Sequence, residues 1–397
     1  MLKTMLHLLL GCLFSATALA QPTTIRHLKG PPITADALTA GLARVFDSAH
    51  VAGLSVLVLA GSEVAYEHYF GTKDSRTHQP LDAETISYAA SLTKPVTAYI
   101  FLRLVEQHVF ALDTPVYRYL RHPIADYPKW QDLARDPAFR RITPRMLLSH
   151  SSGLPVLRDM YGPRLATIAP PGTQFFYSNE GFNLLGAVME ERTGLPLQTL
   201  AEREVFGPLH MNHTGFVWQA RFAGNHAVGH DAAGTAIGYQ LRISARGAGS
   251  MVTTPRDYAA FVQHVMARQG LSRKLYRQYF GRQISVTSQR GWGPRRDSLA
   301  RQPDPQRKAW GLGWGLFRSP YGPAFWHGGH ATGWQNLCVC YPRQKYTIIL
   351  LSNSDNFERA ADRVLRLCSG DTAALLEWSS FYDAATATDS APVSIGK

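Results

Sequence analysis

Ser91-Leu92-Thr93-Lys94-Pro95 opens a strongly helical segment that runs to about residue 107. Positions i and i+3 share a helix face, so a hydroxyl and an amine stand one turn apart, close enough to share a proton. Serine is a weak nucleophile until a base takes its proton, and a lysine in a desolvated pocket has a lowered pKa and can be that base. The positive end of the helix favours an oxyanion there. Pro95 is tolerated because it falls in the first turn, where a missing N–H costs little. Taken alone, S-x-x-K recurs by chance and equally describes an ordinary capped helix start.

Outward from this segment, strand signals fall at the two ends of the chain. Upstream, Leu54-Ser-Val-Leu-Val-Leu-Ala60 and Val64-Ala-Tyr-Glu-His-Tyr-Phe70 flank Gly61-Ser62-Glu63, a hairpin pattern that follows a helix over 34–49. Downstream, Ala309 to Phe317, Ala324-Phe-Trp326, Trp334 to Tyr341 and Tyr346 to Ser352 are β-rich, and a last helix is expected from Phe357 to Leu367 or beyond. Between the ends lie helical patterns at 144–149, 180–193 and 196–205, and Thr254-Pro255-Arg256-Asp257 reads as the capped start of a helix to about Arg268. The fold class is therefore α/β of the α+β type. One sheet is drawn from about 50–90 and 309–370, with a mainly helical region inserted between.

Two more segments bear chemistry. Tyr177-Ser178-Asn179 follows Pro170-Pro171-Gly172 and enters a helix. A phenol at such a corner can shuttle protons, its pKa falling beside an ammonium, and Asn179 can both donate and accept, which suits a substrate amide. The alternative is a packed aromatic at a helix entry. His327-Gly328-Gly329-His330 follows Phe325-Trp326, and two glycines after a strand let the backbone approach a ligand. The alternatives are a plain glycine turn with surface histidines, or a metal pair that lacks the Asp, Glu or Cys to complete it.

In that order, Ser-x-x-Lys, Tyr-x-Asn and a His-Gly-Gly turn resemble the serine β-lactamase and penicillin-binding protein superfamily. More narrowly they resemble the class C β-lactamase-related hydrolases, with their esterase, D-aminopeptidase and DD-carboxypeptidase branches. Tyr69-Phe70-Gly71, Leu112-Asp113-Thr114-Pro115, Leu147-Leu148-Ser149-His150-Ser151-Ser152-Gly153-Leu154, Gly207-Pro208-Leu209-His210-Met211 and Leu350-Leu351-Ser352-Asn353 extend the resemblance over about 35–370. It implies a β-lactamase/transpeptidase-like fold, an α/β domain with an antiparallel sheet plus a mainly helical domain with the cleft between, and no metal or organic cofactor. Ser91 would be the acylated nucleophile, and Lys94 and Tyr177 would handle protons. Asn179 would bind the acyl-side amide. The N–H groups of Ser91 and His330 would form the oxyanion hole, and His327 would replace the lysine of K-T-G. Two departures matter. Histidine supplies charge only when protonated, making its help pH-dependent. Gly328 lacks the hydroxyl that relatives use to hold a substrate carboxylate; one hydrogen bond to a charged group is worth about 1.5–3 kcal/mol. Esters or uncharged amides are thus favoured over β-lactams, unless an arginine elsewhere restores the contact. A penicillin-binding-like module without turnover is the reading from another class. No G-x-S-x-G elbow occurs in the chain, which counts against a Ser-His-Asp hydrolase.

The remaining expectations come from composition. Of 397 residues, 45% are apolar and 18% charged, a globular balance that excludes disorder and small disulfide scaffolds. Residues 1–20 read as a signal peptide, with Lys3, an apolar run and Ala18-Leu19-Ala20, implying a periplasmic or secreted protein; Leu10-Gly11-Cys12 resembles a lipobox. The next unit is 21–384, and 385–397 is a flexible tail. Without Cys12, a bridge from Cys368 to Cys338 or Cys340 competes with three buried thiols. The net charge is +12, and the stretch 268–308 alone carries +9. That stretch reads as a helix followed by a long exposed loop over 282–308. The plain reading is a solvated surface segment; the sharper one is that Arg290, Arg295, Arg296, Arg301 and Arg307 touch an anionic envelope surface or steer anionic substrates. Export and this local clustering argue against nucleic acid as the partner. The oligomeric state is not readable.

Overall fold

In the computed structural model, residues 24–238, 242–287 and 306–370 are described. The expected signal peptide with Cys12, the 385–397 tail, and Arg290, Arg295, Arg296 and Arg301 lie outside the described residues.

A nine-stranded antiparallel sheet organises the chain. Its strands are β1 (Gly53–Ala60), β2 (Glu63–Asp74), β3 (Gln79–Pro80), β4 (Ile284–Ser285), β5 (Ala309–Trp310), β6 (Gly315–Ser319), β7 (Gly322–Ala331), β8 (Trp334–Tyr341) and β9 (Tyr346–Ser352). The spatial order is β3-β2-β1-β9-β8-β7-β6-β5-β4. The joint between the two ends of the chain is β1 against β9, in register from Tyr346↔Ala60 to Ser352↔Leu54. Both strands are buried on both faces, so they read as continuous apolar runs and not as alternating ones. Each outer strand is only two residues long, which leaves little open edge for further pairing.

The five longer helices are α1 (Ala35–Ser48), α2 (Thr93–Glu106), α3 (Asn179–Thr193), α4 (Pro255–Met266) and α5 (Glu358–Ser369), of which all but α3 cover the sheet. On one face α1 and α5 bring Leu38, Leu42, Val364 and Leu365 onto Val56, Val58, Val339 and Ile348. On the other, α2 and α4 bring Val96, Ile100, Phe261 and Val265 onto Leu57, Leu59, Cys338 and Ile349. Helix α2 is buried almost all round, as expected of a central helix and not of an amphipathic surface one. The expected cap of α4 is present: Thr254 Oγ1 accepts the Asp257 N–H at 3.2 Å, with Pro255 in the first turn.

Four expectations are corrected. The run 309–317 is two strands, because Gly311–Trp314 leaves the sheet; Gly313, at φ +97°, passes so close to α2 that a Cβ there would lie 2.4 Å from Ala98 Cβ. The His327–His330 stretch is not a turn but the end of β7, paired in unbroken register with β8. The bridge from Cys368 is absent. Cys338 and Cys340 lie on the α2 face of the sheet and Cys368 lies on α5 across it, so the sheet separates them, and all three are buried free thiols. The segment after 282 is also not wholly loop, since Ile284–Ser285 forms the last strand and Val286 is buried.

Candidate active site

Ser91 sits in a single 3₁₀ turn, Ala90–Leu92, immediately before α2. The turn is held under tension and tied down. Ala90 has φ +47°, a left-handed conformation that costs a non-glycine residue energy. Thr93 Oγ1 donates to Ala90 O at 2.6 Å and accepts the Met251 N–H at 3.1 Å, and the Ala89 N–H donates to Met251 O at 2.9 Å. The pairing of Ser87–Tyr88 with Val252–Thr253 leads into this clamp.

Lys94, one turn on, is fully buried. Its Nζ lies 3.0 Å from Ser91 Oγ, 2.7 Å from Asn179 Oδ1 and 2.7 Å from Ala248 O. Burial pushes its pKa well below the usual lysine range. The three contacts suit either protonation state. An ammonium donates to all three oxygens. A neutral amine donates to the two carbonyl oxygens, which only accept, and turns its lone pair to the Ser91 hydroxyl. A proton can therefore pass between Ser91 and Lys94 without any heavy atom moving.

Tyr177 stands beside them, with Lys94 Nζ 4.7 Å from its ring centroid. Its pKa does not fall beside the lysine as expected: burial raises it, and the nearby Ser91 hydroxyl offsets this only in part. The reason is that a buried phenolate and ammonium together cost more than a neutral pair. Ser178 caps α3, its Oγ accepting the Gly181 N–H at 2.8 Å, so the helix start fixes Tyr177 and Asn179 on either side of the cap.

His327 also departs from expectation. It is buried on the β7 face shared with Phe325 and Cys338, 5.6 Å in ring centroids from Trp310 and 6.2 Å from Tyr177. Burial, with the nearby Lys94 charge, pulls its pKa down to about 3. It is a neutral imidazole at physiological pH, so no pH-dependent positive charge stands there. Its Nδ1 lies 2.7 Å from Gly328 O, which can only accept, so the proton is on Nδ1 and Nε2 is the bare acceptor. His330 projects to the opposite face, where Nδ1 meets Glu358 Oε1 at 2.9 Å; the two histidines cannot converge on one metal.

Gly329 explains how β7 reaches the serine. Strand β6 pairs with β7 only as far as Trp326, so from His327 onward that edge carries no strand among the described residues. The Ala89–Leu92 turn lies against it, and a Cβ on Gly329 would stand 2.4 Å from Ala89 O and 3.3 Å from Leu92 N. Only glycine permits this approach of two backbones. It brings the His330 end of β7 beside Ser91.

The Beta-lactamase family model matches residues 34–370. The chain belongs to the Beta-lactamase family. Among its relatives is esterase EstB of Burkholderia gladioli, 32% identical over 216 residues, which are 47% of this chain and 53% of that protein. The chain thus spans about half the length of that relative. D-alanyl-D-alanine-carboxypeptidase/endopeptidase AmpH of Escherichia coli K12 is 24% identical over 277 residues, 64% of this chain and 69% of that protein. A crystal structure titled D-alanine carboxypeptidase AmpC, from Burkholderia cenocepacia, superposes with a TM-score of 0.64 at 19% identity, covering 83% of this chain and 97% of that one.

Within this Beta-lactamase-family fold, Ser91, Lys94, Tyr177, Asn179 and the His327–His330 strand lie together. Four contributors did not stand out in the sequence. His150 was visible only as part of the Leu147–Leu154 passage, and Trp310 only as a strand residue. Arg242 and Arg246 sit in a stretch without periodicity and gave no signal. With Tyr88, Ser91, Asn179 and Asn183 they line a cleft of about 220 Å³.

Proposed function

We propose that the protein is an exported serine hydrolase that cleaves ester or amide bonds through an acyl-enzyme on Ser91. The observation that carries this reading is the Lys94 amine, buried, held by two carbonyl oxygens and 3.0 Å from Ser91 Oγ. Ser91 Oγ attacks the substrate carbonyl carbon while its proton passes to Lys94. The oxyanion forms at the N–H groups of Ser91 and His330. Collapse expels an alcohol or amine, which takes a proton from Tyr177; Lys94 re-protonates the phenol. Water then attacks the ester carbonyl, gives its proton to Lys94, and Ser91 recovers its own as the acid leaves.

Gly328 favours esters and uncharged amides at the leaving-group side, and the likeness to an esterase supports the same preference. The likeness to AmpH supports a second reading, a D-aminopeptidase or DD-carboxypeptidase on cell-wall peptides. A fluorophosphonate probe should label wild type and not Ser91→Ala; no labelling of wild type, or equal labelling of both, rejects the mechanism and favours a module without turnover. A parallel assay of short p-nitrophenyl esters, D-aminoacyl amides, D-Ala-D-Ala peptides and nitrocefin ranks the substrates. For export, the expected mature N-terminus is Gln21 in a periplasmic or secreted fraction. Contact of Arg290, Arg295, Arg296, Arg301 and Arg307 with an anionic envelope surface is tested by neutralising these five and measuring envelope association.

A further inference from the structure

The cleft beside Ser91 holds two guanidinium groups that form no ion pair among the described residues, although Glu180 in the same wall attracts Arg246. Arg242 lies over the Tyr88 ring at 5.2 Å, and its Nη2 is 3.3 Å from the Tyr88 hydroxyl, while its buried Nε has no hydrogen-bond partner. Among the described residues the Arg246 guanidinium makes no hydrogen bond and no ion pair. Burial first, and the Arg242 charge next, pull the Arg246 pKa down. Glu180 shares the wall, but it forms an ion pair with neither arginine and its own carboxyl is pushed up by burial. The arginines are placed by the machinery that places Ser91. Tyr88 donates to Gly249 O at 2.6 Å, Arg246 and Ser250 close a turn through the Arg246 N–H at 2.8 Å, and Ala248 in that turn accepts from Lys94.

Two like charges held together and partly desolvated repel each other, and an anion between them removes that cost and satisfies planar donors suited to a carboxylate. We propose that Arg242 and Arg246 form an anion anchor for the acyl half of the substrate, so that preferred substrates are esters or amides whose acyl chain carries a carboxylate. This rests on the acyl-enzyme reading. The acyl half is assigned because the leaving group must reach the Tyr177 phenol, and neither Tyr177 nor His327 lines this cleft. Asn179 and Asn183, which do line it, offer polar contacts along the same chain. The charge selectivity that Gly328 gives up on the leaving-group side is thus taken over on the other side of the serine.

The test compares p-nitrophenyl glutarate, a monoanion, with p-nitrophenyl valerate, its neutral counterpart of equal length. Wild type should favour the glutarate by at least tenfold in kcat/KM, and the preference should shrink as NaCl rises. Both readings need no variant. In Arg242→Gln/Arg246→Gln the glutarate-to-valerate ratio should fall at least tenfold, and Arg246→Lys should keep part of it. A wild-type ratio at or below one, or variants that lower both esters equally, would overturn the anchor. Absence of turnover with both esters would instead reject the acyl-enzyme reading. Calorimetric titration of wild type and the double variant with free glutarate then decides the anchor alone: binding lost in the variant supports it, and no binding by wild type overturns it.

Discussion

The His150 ring lies flat on the Tyr177 ring, 4.1 Å between centroids at 25°, and its Nδ1 accepts the Ser178 N–H at 2.9 Å. One side chain thus holds the phenol in place and satisfies the first backbone donor after it. An N–H bonded to Nδ1 requires the proton on Nε2, which is buried without a hydrogen-bond partner in a ring packed among Phe175, Phe182 and Trp310. Burial, with Lys94 and His327 nearby, keeps the ring neutral.

His150→Ala should remove both contacts, lowering kcat about ten- to a hundredfold with KM within about threefold, and stability by about 1–3 kcal/mol for the unsatisfied N–H. His150 has φ +55°, which asparagine tolerates better than most residues. His150→Asn keeps an acceptor in reach of Ser178, so urea unfolding should recover much of the stability while kcat stays low, because no ring stacks on Tyr177. Full recovery of kcat in His150→Asn would show that the stack does not position the phenol.

The buried pair Lys94 and Tyr177 sets the pH profile. Burial lowers Lys94 and raises Tyr177, so the amine is free and the phenol protonated over a wide range. The rate should rise with pH along one limb as Lys94 loses its proton, then hold a plateau through about pH 10, the ordinary phenol value. Because His327 is held at about 3, no inflection from this histidine should appear around 6.5. A histidine inflection that Asn or Gln at 327 abolishes would contradict this. Stability follows the same group. The unfolded chain takes up a proton below 6.5 and the native chain does not until about 3, so stability is lost as pH falls across that window. His327→Gln should make the acid side of a pH-resolved urea titration shallower.

The fold was legible because its deciding elements announce themselves locally. The hairpin β1–β2, the helical spacing of α1, the cap of α4, and the continuous apolar runs of β1 and β9 are all sequence-local signals. The Ser-x-x-Lys spacing likewise fixes two groups on one turn. What was not legible came from long-range placement. Whether Tyr177 titrates down or up depends on how completely Lys94 and Tyr177 are enclosed, and spacing carries no information on that. Arg242 and Arg246 reach the cleft only because 246–251 is strapped along α2. The His327–His330 stretch reads as a turn because glycines weaken strands, but here they serve a close backbone approach that only the packed turn at Ser91 explains.

The thiols offer a check on the sheet itself. Burial pushes the Cys368 pKa up to about 12 and that of Cys338 upward as well, while Cys338 and Cys340 Sγ sit 3.8 Å apart as neighbours on β8. The thiolate is the reactive form, so alkylation requires opening of the fold. Peptide mapping after iodoacetamide should find all three unmodified in the native protein and all three modified in urea. Reductant should leave the melting temperature unchanged. A peptide linking Cys368 to Cys338 or Cys340 would mean that the two faces of the sheet are wrongly assigned.

Adjacent glycines should respond oppositely to a side chain. A Cβ on Gly328 would meet only Trp326 Cζ3 at 3.5 Å and Asn336 O at 3.7 Å, ordinary contacts, whereas on Gly329 it would press on Ala89 O. Gly328→Ser should therefore fold like wild type and add a hydroxyl where relatives hold a carboxylate. Turnover of nitrocefin, which carries that carboxylate, should rise about ten- to a hundredfold, with short neutral esters changed by less than about threefold. Gly329→Ala must push the Ala89–Leu92 turn off β7 and displace Ser91 from the strand end. Since misplacement of about 1 Å costs about a hundredfold, its esterase rate should fall at least that far, even where circular dichroism shows the fold intact. If Gly328→Ser leaves nitrocefin turnover at the wild-type level, the missing hydroxyl is not what sets the preference. If Gly329→Ala keeps full activity, the turn bearing Ser91 does not depend on the approach of β7.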